Sequence, residues 1–349
     1  MSALTPAEVL VVIPTFNEEG HIEACVEALV GDPAMAGVTV AIADGRSTDR
    51  TREIVAGLSA RHPGVTLVDN PARIQSAGVN RAVEALAGPQ HRVMVRCDAH
   101  SRYPAGYVMG VARLMVERDL QSVVVPMDAE GDTPFGRALA AIIDTPLGAG
   151  GSAHRGGTRS GLVDHGHHAA FDLATYCALG GYDETFRHNE DAEYDRRLTE
   201  RGGRIWLAAE WRIGIVVRGT PGRLWRQYAN YGRGRARMLA KHRLRPKPRQ
   251  AIPALHVLAL GGSAVLLPFT VLGLAYPMLY LGVVALACGW AVRRLGRAEG
   301  LWAGLALAIM HTAWGSAFLA QVVRGAGAVD GGAPLRRREG VGEPTCSAP

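Results

Sequence analysis

Charged residues are missing from two long stretches of this 349-residue chain, Ala251–Val292 and Leu301–Val323. About 20 consecutive apolar residues are enough to cross a hydrocarbon layer about 30 Å thick. The first stretch is long enough for two such crossings, with a break near Pro268–Pro277, and the second is long enough for one. The sequence therefore favours a membrane protein over a purely soluble one and predicts two or three transmembrane helices over 251–323.

Paired cysteine spacings and a secretory leader are also missing. The five cysteines are scattered along the chain, so we expect neither a disulfide framework nor a zinc site. Near the start, Glu8 interrupts the apolar residues, and Val9–Ile13 has only the length of a strand. We therefore expect no cleaved signal peptide.

Positive charge is present in excess, and its position along the chain is informative. The formal net charge is +6, and arginines crowd between Arg218 and Arg249, directly before the first apolar stretch. That placement favours a membrane surface over a nucleic-acid groove, and the aromatic platform that single strands need is not interleaved with it. The positive-inside rule places this cluster and the Arg293–Arg297 loop on the cytoplasmic side. A third span would export the arginines of the tail, so the number of spans stays open.

The first half of the chain alternates short β-branched runs with amphipathic helical patterns, which is typical of an α/β domain with a mostly parallel sheet. The predicted strands are Val9–Ile13, Val38–Ala43, Val65–Val68, Arg92–Cys97 and Ser122–Pro126. The predicted helices between them are His21–Val30, Thr51–Ala60, Ala77–Leu86 and Pro104–Glu117. Further along we predict a helix over Thr185–Arg201, strands over Arg204–Ala208 and Ile213–Val217, and a basic amphipathic helix over Leu224–His242.

This pattern divides the chain into four parts. Residues 1–222 form a nucleotide-binding α/β domain, and 223–250 form a basic helix and linker at the membrane surface. Residues 251–323 form the transmembrane region, and 324–349 form a polar, disordered tail. Within the first part, Pro146–Gly166 is rich in glycine and has no periodicity, and such long irregular segments are usually functional or disordered. We expect its Gly150–Arg159 portion to close over a bound substrate.

Polar residues follow two predicted strands at the edge where α/β sheets bind ligands. Asp44 ends the second strand, before Ser47 and Asp49, and it can accept a hydrogen bond from a base or a ribose. Ser47 and Asp49 taken alone are as well explained as helix caps. Asp98 and His100 follow the fourth strand, where they could hold a divalent cation against a diphosphate. Their spacing alone is weak evidence, because isolated Asp-x-His pairs in loops are common.

The strongest local motif is Gly180–Phe186 followed by Asn189–Leu198. The paired glycines permit a tight turn, and the acidic residues beside Asn189 begin a helix, where a carboxylate is held ionised by the helix dipole. Such a carboxylate could serve structure or act as a general base. Glu193 and Arg197 have the spacing of a surface ion pair.

In combination and in this order, these motifs resemble the family-2 glycosyltransferases of GT-A fold, over roughly Val9–Arg237. Within that family the chain is most similar to the membrane-associated succinoglycan-biosynthesis type of glucosyltransferase. Three segments carry the resemblance: Ala43–Asp49, the Asp98-Ala99-His100 triplet with Tyr103-Pro104 after it, and Tyr231–Arg235 before the membrane region.

The resemblance implies a role for each motif. Asp191 would be the base that deprotonates the acceptor, preceded by Glu190, and Asp98 with His100 would hold Mn²⁺ or Mg²⁺. The residues implied to bind the nucleotide-sugar donor are Pro14, Thr15, Glu18, Asp44, Asp98, Gln227 and Arg233. His100 stands where the family usually has a second aspartate, and imidazole suits Mn²⁺ better than Mg²⁺. Gln227–Tyr231 departs from the Gln-x-x-Arg-Trp pattern of processive relatives, which leaves processivity open.

The resemblance also implies an activity and a location. We expect an inverting transferase that moves a hexose from a nucleotide-sugar, UDP-linked by resemblance, to a lipid-linked saccharide in exopolysaccharide biosynthesis. Its partners would be that donor, that acceptor and membrane lipids, with no nucleic acid. It would be a multi-pass protein of the bacterial cytoplasmic membrane with its catalytic domain in the cytoplasm. The alternatives are a polyprenyl-phosphate glycosyltransferase and a non-catalytic, membrane-anchored nucleotide-sugar-binding protein.

Overall fold

A computed structural model describes residues 3–152 and 155–325. Within these residues the chain forms two compact units, the first from residues up to 127 and from 157–215, and the second from 128–156 and 216 onward. These units separate at points other than residue 222. Our division at residue 222 concerns function and stays a prediction. Of the predicted tail 324–349, everything from residue 326 on lies outside the described residues.

The strands are numbered along the chain. They are β1 (Val9–Thr15), β2 (Thr39–Asp44), β3 (Val65–Asp69), β4 (Val93–Arg96), β5 (Ser101–Arg102), β6 (Ser122–Val125), β7 (Met127–Glu130), β8 (Gly161–Val163), β9 (His167–Asp172), β10 (Ile205–Leu207) and β11 (Ile213–Val216). The α-helices are α1 (Ile22–Val30), α2 (Thr51–Arg61), α3 (Gln75–Leu86), α4 (Tyr107–Glu117), α5 (Pro134–Ile143), α6 (Pro146–Ala149), α7 (Leu173–Ala178), α8 (Glu190–Glu200), α9 (Pro221–Lys241), α10 (Pro248–Leu266), α11 (Ala275–Leu295) and α12 (Trp302–Arg324).

The first unit is built on an eight-stranded mixed sheet with the order β3-β2-β1-β4-β9-β6-β10-β8. Strand β1 pairs in parallel with β2 and β4, and β2 with β3, while β9 runs antiparallel between β4 and β6. Strand β10 is parallel to β6 and antiparallel to β8. The predicted α/β class with a mixed, mostly parallel sheet is confirmed.

Strand β1 shows why the sequence folds this way. Successive side chains of a strand point to opposite faces of the sheet. Val9, Val11 and Ile13 are buried in the apolar cluster on one face, and Leu10 and Val12 in the cluster on the other. A strand covered on both faces reads as a continuous apolar run, which is how this segment was recognised.

Each of the five strands and four helices predicted for the first half is present, with ends that shift by up to three residues. The helix predicted from Thr185 begins later, at Glu190, because Asn189 has a left-handed backbone with φ of 65°. The segment predicted to be irregular contains α6 and β8. Helices α5 and α7 and strand β9 were not predicted.

The second unit consists mainly of helices. Two helical stretches, Val271–Leu295 and Ala298–Arg324, are long and apolar enough to cross a membrane by length and composition. Helices α9 and α12 pack closely, since a Cβ added at Gly232 would lie 2.2 Å from the Trp314 carbonyl oxygen. Helix α5 is joined to the turn before α12 by Arg137, whose guanidinium donates to both carboxylate oxygens of Glu299 at 2.8 Å.

Candidate active site

The carboxyl ends of β1 and β2 place Thr15 beside Asp44 in the parallel register. The Asp44 carboxylate is fully buried, and it accepts from the Ser47 hydroxyl at 2.5 Å and from Arg52 at 2.8 Å. The buried Thr15 hydroxyl has no hydrogen-bond partner within the described part of the chain. Because an orphaned buried hydroxyl is uncommon in a folded protein, it marks a place where a ligand or a water would bind.

Glu18 lies on the loop after β1, and its carboxylate is bonded to the side chain of His100. The distance from Glu18 Oε1 to His100 Nδ1 is 2.9 Å, and the Glu18 backbone N–H donates to the Thr51 hydroxyl at 2.8 Å. Pro14 lies one residue before Thr15 and is partly buried. The structure therefore gathers the four residues implied to bind the donor base, Pro14, Thr15, Glu18 and Asp44, at the carboxyl ends of β1 and β2 and on the loop after β1.

Arg96 connects two carboxylates that are 93 positions apart in the sequence. It ends β4, its side chain is only 4% exposed, and its guanidinium donates to Asp98 Oδ1 at 3.2 Å and to Asp191 Oδ1 at 2.7 Å. The Tyr182 hydroxyl donates to the same Asp191 oxygen at 2.8 Å. The Gln75 side-chain amide lies against the same guanidinium. The two carboxylates are 17% and 19% exposed, so both remain accessible at the edge of this buried network.

Burial and neighbouring charges shift the pKa values of Arg96 and Asp98 in opposite directions. Burial alone would lower the pKa of Arg96, but Asp191 and Asp98 outweigh it and raise the pKa well above its usual value. Burial alone would raise the pKa of Asp98, but Arg96, His167 and His100 outweigh it and leave that pKa below its ordinary value. Both groups therefore keep their charge at neutral pH.

Glu190 differs from Asp98 in its protonation state at neutral pH. It begins α8 and is buried, and burial followed by repulsion from Asp191 raises its pKa to about 8. A helix N-terminus favours an ionised carboxylate, but here desolvation is the larger effect. Glu190 is therefore mostly protonated at neutral pH, next to Asp191.

The pair of Glu193 and Arg197 corrects one expectation from the sequence. We expected a surface ion pair, but the Glu193 side chain is fully buried and Arg197 donates to both of its oxygens. Arg197 also donates to the carbonyls of Leu179 and Gly181, at 2.6 and 2.7 Å. The pair thus fastens α8 to the glycine turn before it, and this fixes the position of the helix that carries Asp191.

The residues implied to hold a metal lie close together but do not form a complete site alone. His167 Nε2 lies 3.5 Å from Asp98 Oδ2. Across residues 3–152 and 155–325, no group of three His, Cys, Asp or Glu side chains is arranged to hold a metal ion. Any ion would therefore need oxygen atoms from a bound ligand or from water as well.

The remaining predicted residues lie in the second unit, on α9. The Gln227 amide donates to the Tyr231 hydroxyl at 3.0 Å, and Arg233 is bonded to Asn230 on the same helix. Their contact with a donor stays a prediction. The loop Gly150–Arg159, expected to close over the substrate, includes residues 153 and 154, which lie outside the described residues, and its closure stays a prediction too.

Sequence reasoning missed three residues of this site: Arg96, Tyr182 and His167. Arg96 was placed inside the fourth strand and treated as part of it, although a single arginine in the run Val93–Cys97 signals a buried charge that needs a partner. Tyr182 was seen only as part of the glycine turn. His167 lay near the segment treated as irregular, so no partner was assigned to it.

Comparison with known proteins shows the family of this chain. Residues 10–174 match the family model for glycosyl transferase family 2. The chain is 41% identical over 320 residues to the succinoglycan biosynthesis protein ExoA of Rhizobium meliloti (strain 1021), an alignment that covers 90% of this chain and 95% of that protein.

Two more distant proteins are also similar to this chain. One is a dolichyl N-acetyl-alpha-D-glucosaminyl phosphate 3-beta-D-2,3-diacetamido-2,3-dideoxy-beta-D-glucuronosyltransferase of Methanococcus voltae, 23% identical over 66% of this chain and 74% of its own length. The other is the solved structure of the mannosyltransferase PcManGT from Pyrobaculum calidifontis in complex with GDP-Man and Mn²⁺, with a TM-score of 0.56, 19% identity and 88% coverage of each chain. At that identity the structural likeness shows the fold alone. Together with the 41% identity to the Rhizobium protein, these findings establish that the chain belongs to glycosyltransferase family 2 and is a glycosyltransferase of GT-A fold.

Proposed function

We propose that this protein is an inverting transferase that moves a hexose from a nucleotide-sugar to a lipid-linked saccharide at the cytoplasmic face of the membrane. The observation that carries the proposal is the shared guanidinium of Arg96, which joins Asp98 to Asp191. Asp98 follows the strand edge where the donor's diphosphate is expected, and Asp191 lies in the first turn of α8. One charge network therefore holds a donor-side carboxylate and a candidate base in a fixed relation.

Asp191 is proposed as the base that removes the proton from the acceptor hydroxyl. Bonds from Arg96 and Tyr182 hold its Oδ1 in place, so the orientation of the carboxylate is set before substrate binds. Such preorganisation lowers the barrier, because little reorganisation is left for the reaction itself. With one base and one displacement at the anomeric carbon, the product has the opposite anomeric configuration.

Asp98 and His100 are proposed to hold Mn²⁺ or Mg²⁺. The residues fit such an ion in part: carboxylate oxygen suits both metals, and imidazole is acceptable to Mn²⁺. When bound, the ion would offset the charge that develops on the leaving nucleoside diphosphate. Asp98 stays ionised at neutral pH, as a ligand must.

The acceptor is proposed to be a lipid-linked saccharide, as in exopolysaccharide biosynthesis. Support comes from the two apolar helical stretches that are long enough to cross a membrane and from the role that the name of the Rhizobium relative gives to that protein, succinoglycan biosynthesis. A multi-pass location in the bacterial cytoplasmic membrane is part of the same proposal. UDP as the nucleotide rests on the family resemblance.

The test is release of nucleoside diphosphate by the full chain in nanodiscs. A panel of UDP- and GDP-sugars is supplied with Mn²⁺, Mg²⁺ or EDTA, and a bacterial lipid extract serves as acceptor. We expect turnover of one donor, lost in EDTA and in Asp98→Ala, and transfer of the sugar to a lipid that already carries a saccharide. Binding of UDP without turnover of any donor would contradict the proposal and favour a non-catalytic binding protein.

The lipid product separates the two acceptor classes. A sugar attached directly to a polyprenyl phosphate is released by mild acid and has no sugar before it. A product of that kind would overturn the lipid-linked saccharide as acceptor, while leaving the transferase activity established.

A further inference from the structure

We propose that Tyr103 is a positioning residue for Asp98, because its hydroxyl binds the backbone of that aspartate and so fixes the direction of its carboxylate. Tyr103 follows the Asp98-Ala99-His100 triplet in the sequence, and the proposed reaction leaves it without a role. The inference rests on the proposed function, since it presumes that Asp98 acts on the donor side. Tyr103 would act through Asp98 rather than by contact with a substrate.

The backbone of Asp98 lies just beyond the hydrogen-bonded part of the sheet. Toward β1, the ladder ends with a bond from Cys97 N–H to the Val12 carbonyl at 2.9 Å. Toward β9, the described pairing ends at Val95, opposite Ala170. A backbone N–H that lies inside the fold but outside a ladder needs another acceptor. The N–H of Asp98 therefore depends on a group outside the sheet.

The Tyr103 hydroxyl is that group. It accepts from Asp98 N–H at 2.5 Å and donates to the Asp98 carbonyl at 3.2 Å. The carbonyl also accepts from Ser101 N–H at 3.1 Å, so without the hydroxyl it would keep one bond, whereas Asp98 N–H would lose its acceptor. Because both backbone groups of Asp98 are held, the direction of its side chain is set, and Asp98 Oδ1 meets Arg96 at 3.2 Å.

Packing of aromatic rings holds Tyr103 in place before any substrate binds. Strand β5, directly before it, pairs antiparallel with β11. The ring of Tyr103 lies against that of Tyr107, with 4.8 Å between the centroids, and Tyr107 meets Trp211 edge-on at 6.4 Å. Trp211 in turn packs on α4 at Gly110, where an added Cβ would lie 2.0 Å from the indole ring. The hydroxyl is therefore preorganised, and binding of substrate does not have to order it.

The direction of the Asp98 carboxylate matters because Asp98 shares Arg96 with Asp191. A shift of Asp98 would therefore disturb the candidate base as well as the donor side. A displacement of about 1 Å in an active site can lower a rate about 100-fold. The residues implied to bind the donor base lie on other strands, as Thr15 and Asp44 do, so loss of the Tyr103 hydroxyl should lower kcat far more than nucleotide affinity.

The first test compares Tyr103→Phe with a matched control, Tyr107→Phe, in the full chain in nanodiscs. The Tyr107 hydroxyl is buried in the same cluster and has no hydrogen-bond partner within the described residues. We expect kcat to fall about ten-fold or more in Tyr103→Phe and to stay within about two-fold of the wild type in Tyr107→Phe. Binding of the nucleoside diphosphate in EDTA should stay within about three-fold of the wild type in both variants, which shows that the fold of the site is intact.

Two further measurements show whether Tyr103 acts through Asp98. In a double-mutant cycle, Tyr103→Phe is added to Asp98→Asn, which keeps the backbone but not the charge, and single-turnover rates are measured with enzyme in excess. We expect the second substitution to lower the rate less than about three-fold, because its effect depends on a carboxylate already lost. Hydrogen exchange of the Asp98 amide, measured without substrate, should be at least about ten-fold faster in Tyr103→Phe than in Tyr107→Phe.

An unchanged kcat in Tyr103→Phe would overturn the inference, and so would a loss that adds in full to that of Asp98→Asn. Equal amide exchange in the two phenylalanine variants would overturn it as well, because the bond would then not hold the backbone. These results would leave the transferase function standing. A wild type that transfers no sugar from any donor would instead refute the proposed function, and the inference with it.

Discussion

Glu190 provides a direct test of the electrostatics of the site. The glutamine variant Glu190→Gln has nearly the same shape as a protonated glutamate and no charge. Because burial and Asp191 raise the pKa of Glu190 to about 8, roughly nine-tenths of it is protonated at pH 7. We therefore expect Glu190→Gln to transfer sugar at pH 7 at a rate within about three-fold of the wild type, which would not follow if an ionised Glu190 were required.

The same raised pKa predicts how stability depends on pH. Between pH 4.5 and about 8, the unfolded chain loses this proton while the folded chain keeps it, so the free energy of unfolding falls as pH rises through that window. The full difference corresponds to about 5 kcal/mol at 1.36 kcal/mol per pKa unit. The free energy of unfolding of Glu190→Gln does not fall in this way as pH rises. At pH 9 its apparent unfolding temperature should therefore exceed that of the wild type by about 5 °C or more.

The assay follows the initial rate of transfer and the unfolding temperature from pH 6 to pH 9.5, in nanodiscs. The wild-type rate should decline above about pH 8, because an ionised Glu190 competes with Asp191 for Arg96. The variant should keep its rate there. Glu200→Gln is the matched control, since Glu200 forms an exposed ion pair with Arg196 on the same helix, and it should follow the wild type. A hundred-fold loss at pH 7 in Glu190→Gln, or identical pH profiles, would refute the reasoning.

Two further predictions concern the buried guanidinium and the helix packing. Arg96→Lys keeps the charge but replaces a planar fork by a single ammonium that cannot hold both carboxylates in the same geometry. We therefore expect kcat to fall about 100-fold and the KM for the donor to change less. Equal changes in kcat and in KM would contradict the positioning role of Arg96. Gly232→Ala places a Cβ against the Trp314 carbonyl and should destabilise the fold by about 1–3 kcal/mol. Gly222 on the same helix faces open space, so Gly222→Ala should leave the unfolding temperature nearly unchanged. Equal shifts of the unfolding temperature in the two variants would refute the packing argument.

The sequence was sufficient for features that depend on local pattern. Strand β1 was recognised because both of its faces are buried. Asp98 and Asp191 were singled out as candidates because Asp98 follows the fourth strand and Asp191 follows the glycine turn Gly180–Phe186. The apolar stretches at the end of the chain needed only length and composition. These features depend on residues close together in sequence, so one sequence displays them.

The partners of the site residues could not be predicted in the same way. Arg96 reaches Asp191 across 95 positions, and His167 meets Asp98 only because β9 inserts antiparallel between β4 and β6. No local sequence pattern predicts that β9 inserts between β4 and β6. The burial of Glu193 was missed for the same reason, since spacing alone cannot distinguish an ion pair at the surface from one inside the fold.

The measurement that tests the central claim most directly compares sugar transfer by wild type and Asp191→Asn, in nanodiscs with lipid extract and the donor that the panel of nucleotide-sugars identifies. Binding of the same nucleotide is measured in both proteins. We expect Asp191→Asn to bind nucleotide within about three-fold of the wild type and to transfer sugar at least about 1,000-fold more slowly, as the loss of a general base requires. Transfer by Asp191→Asn at a rate near that of the wild type would show that another group removes the acceptor proton and would contradict the account.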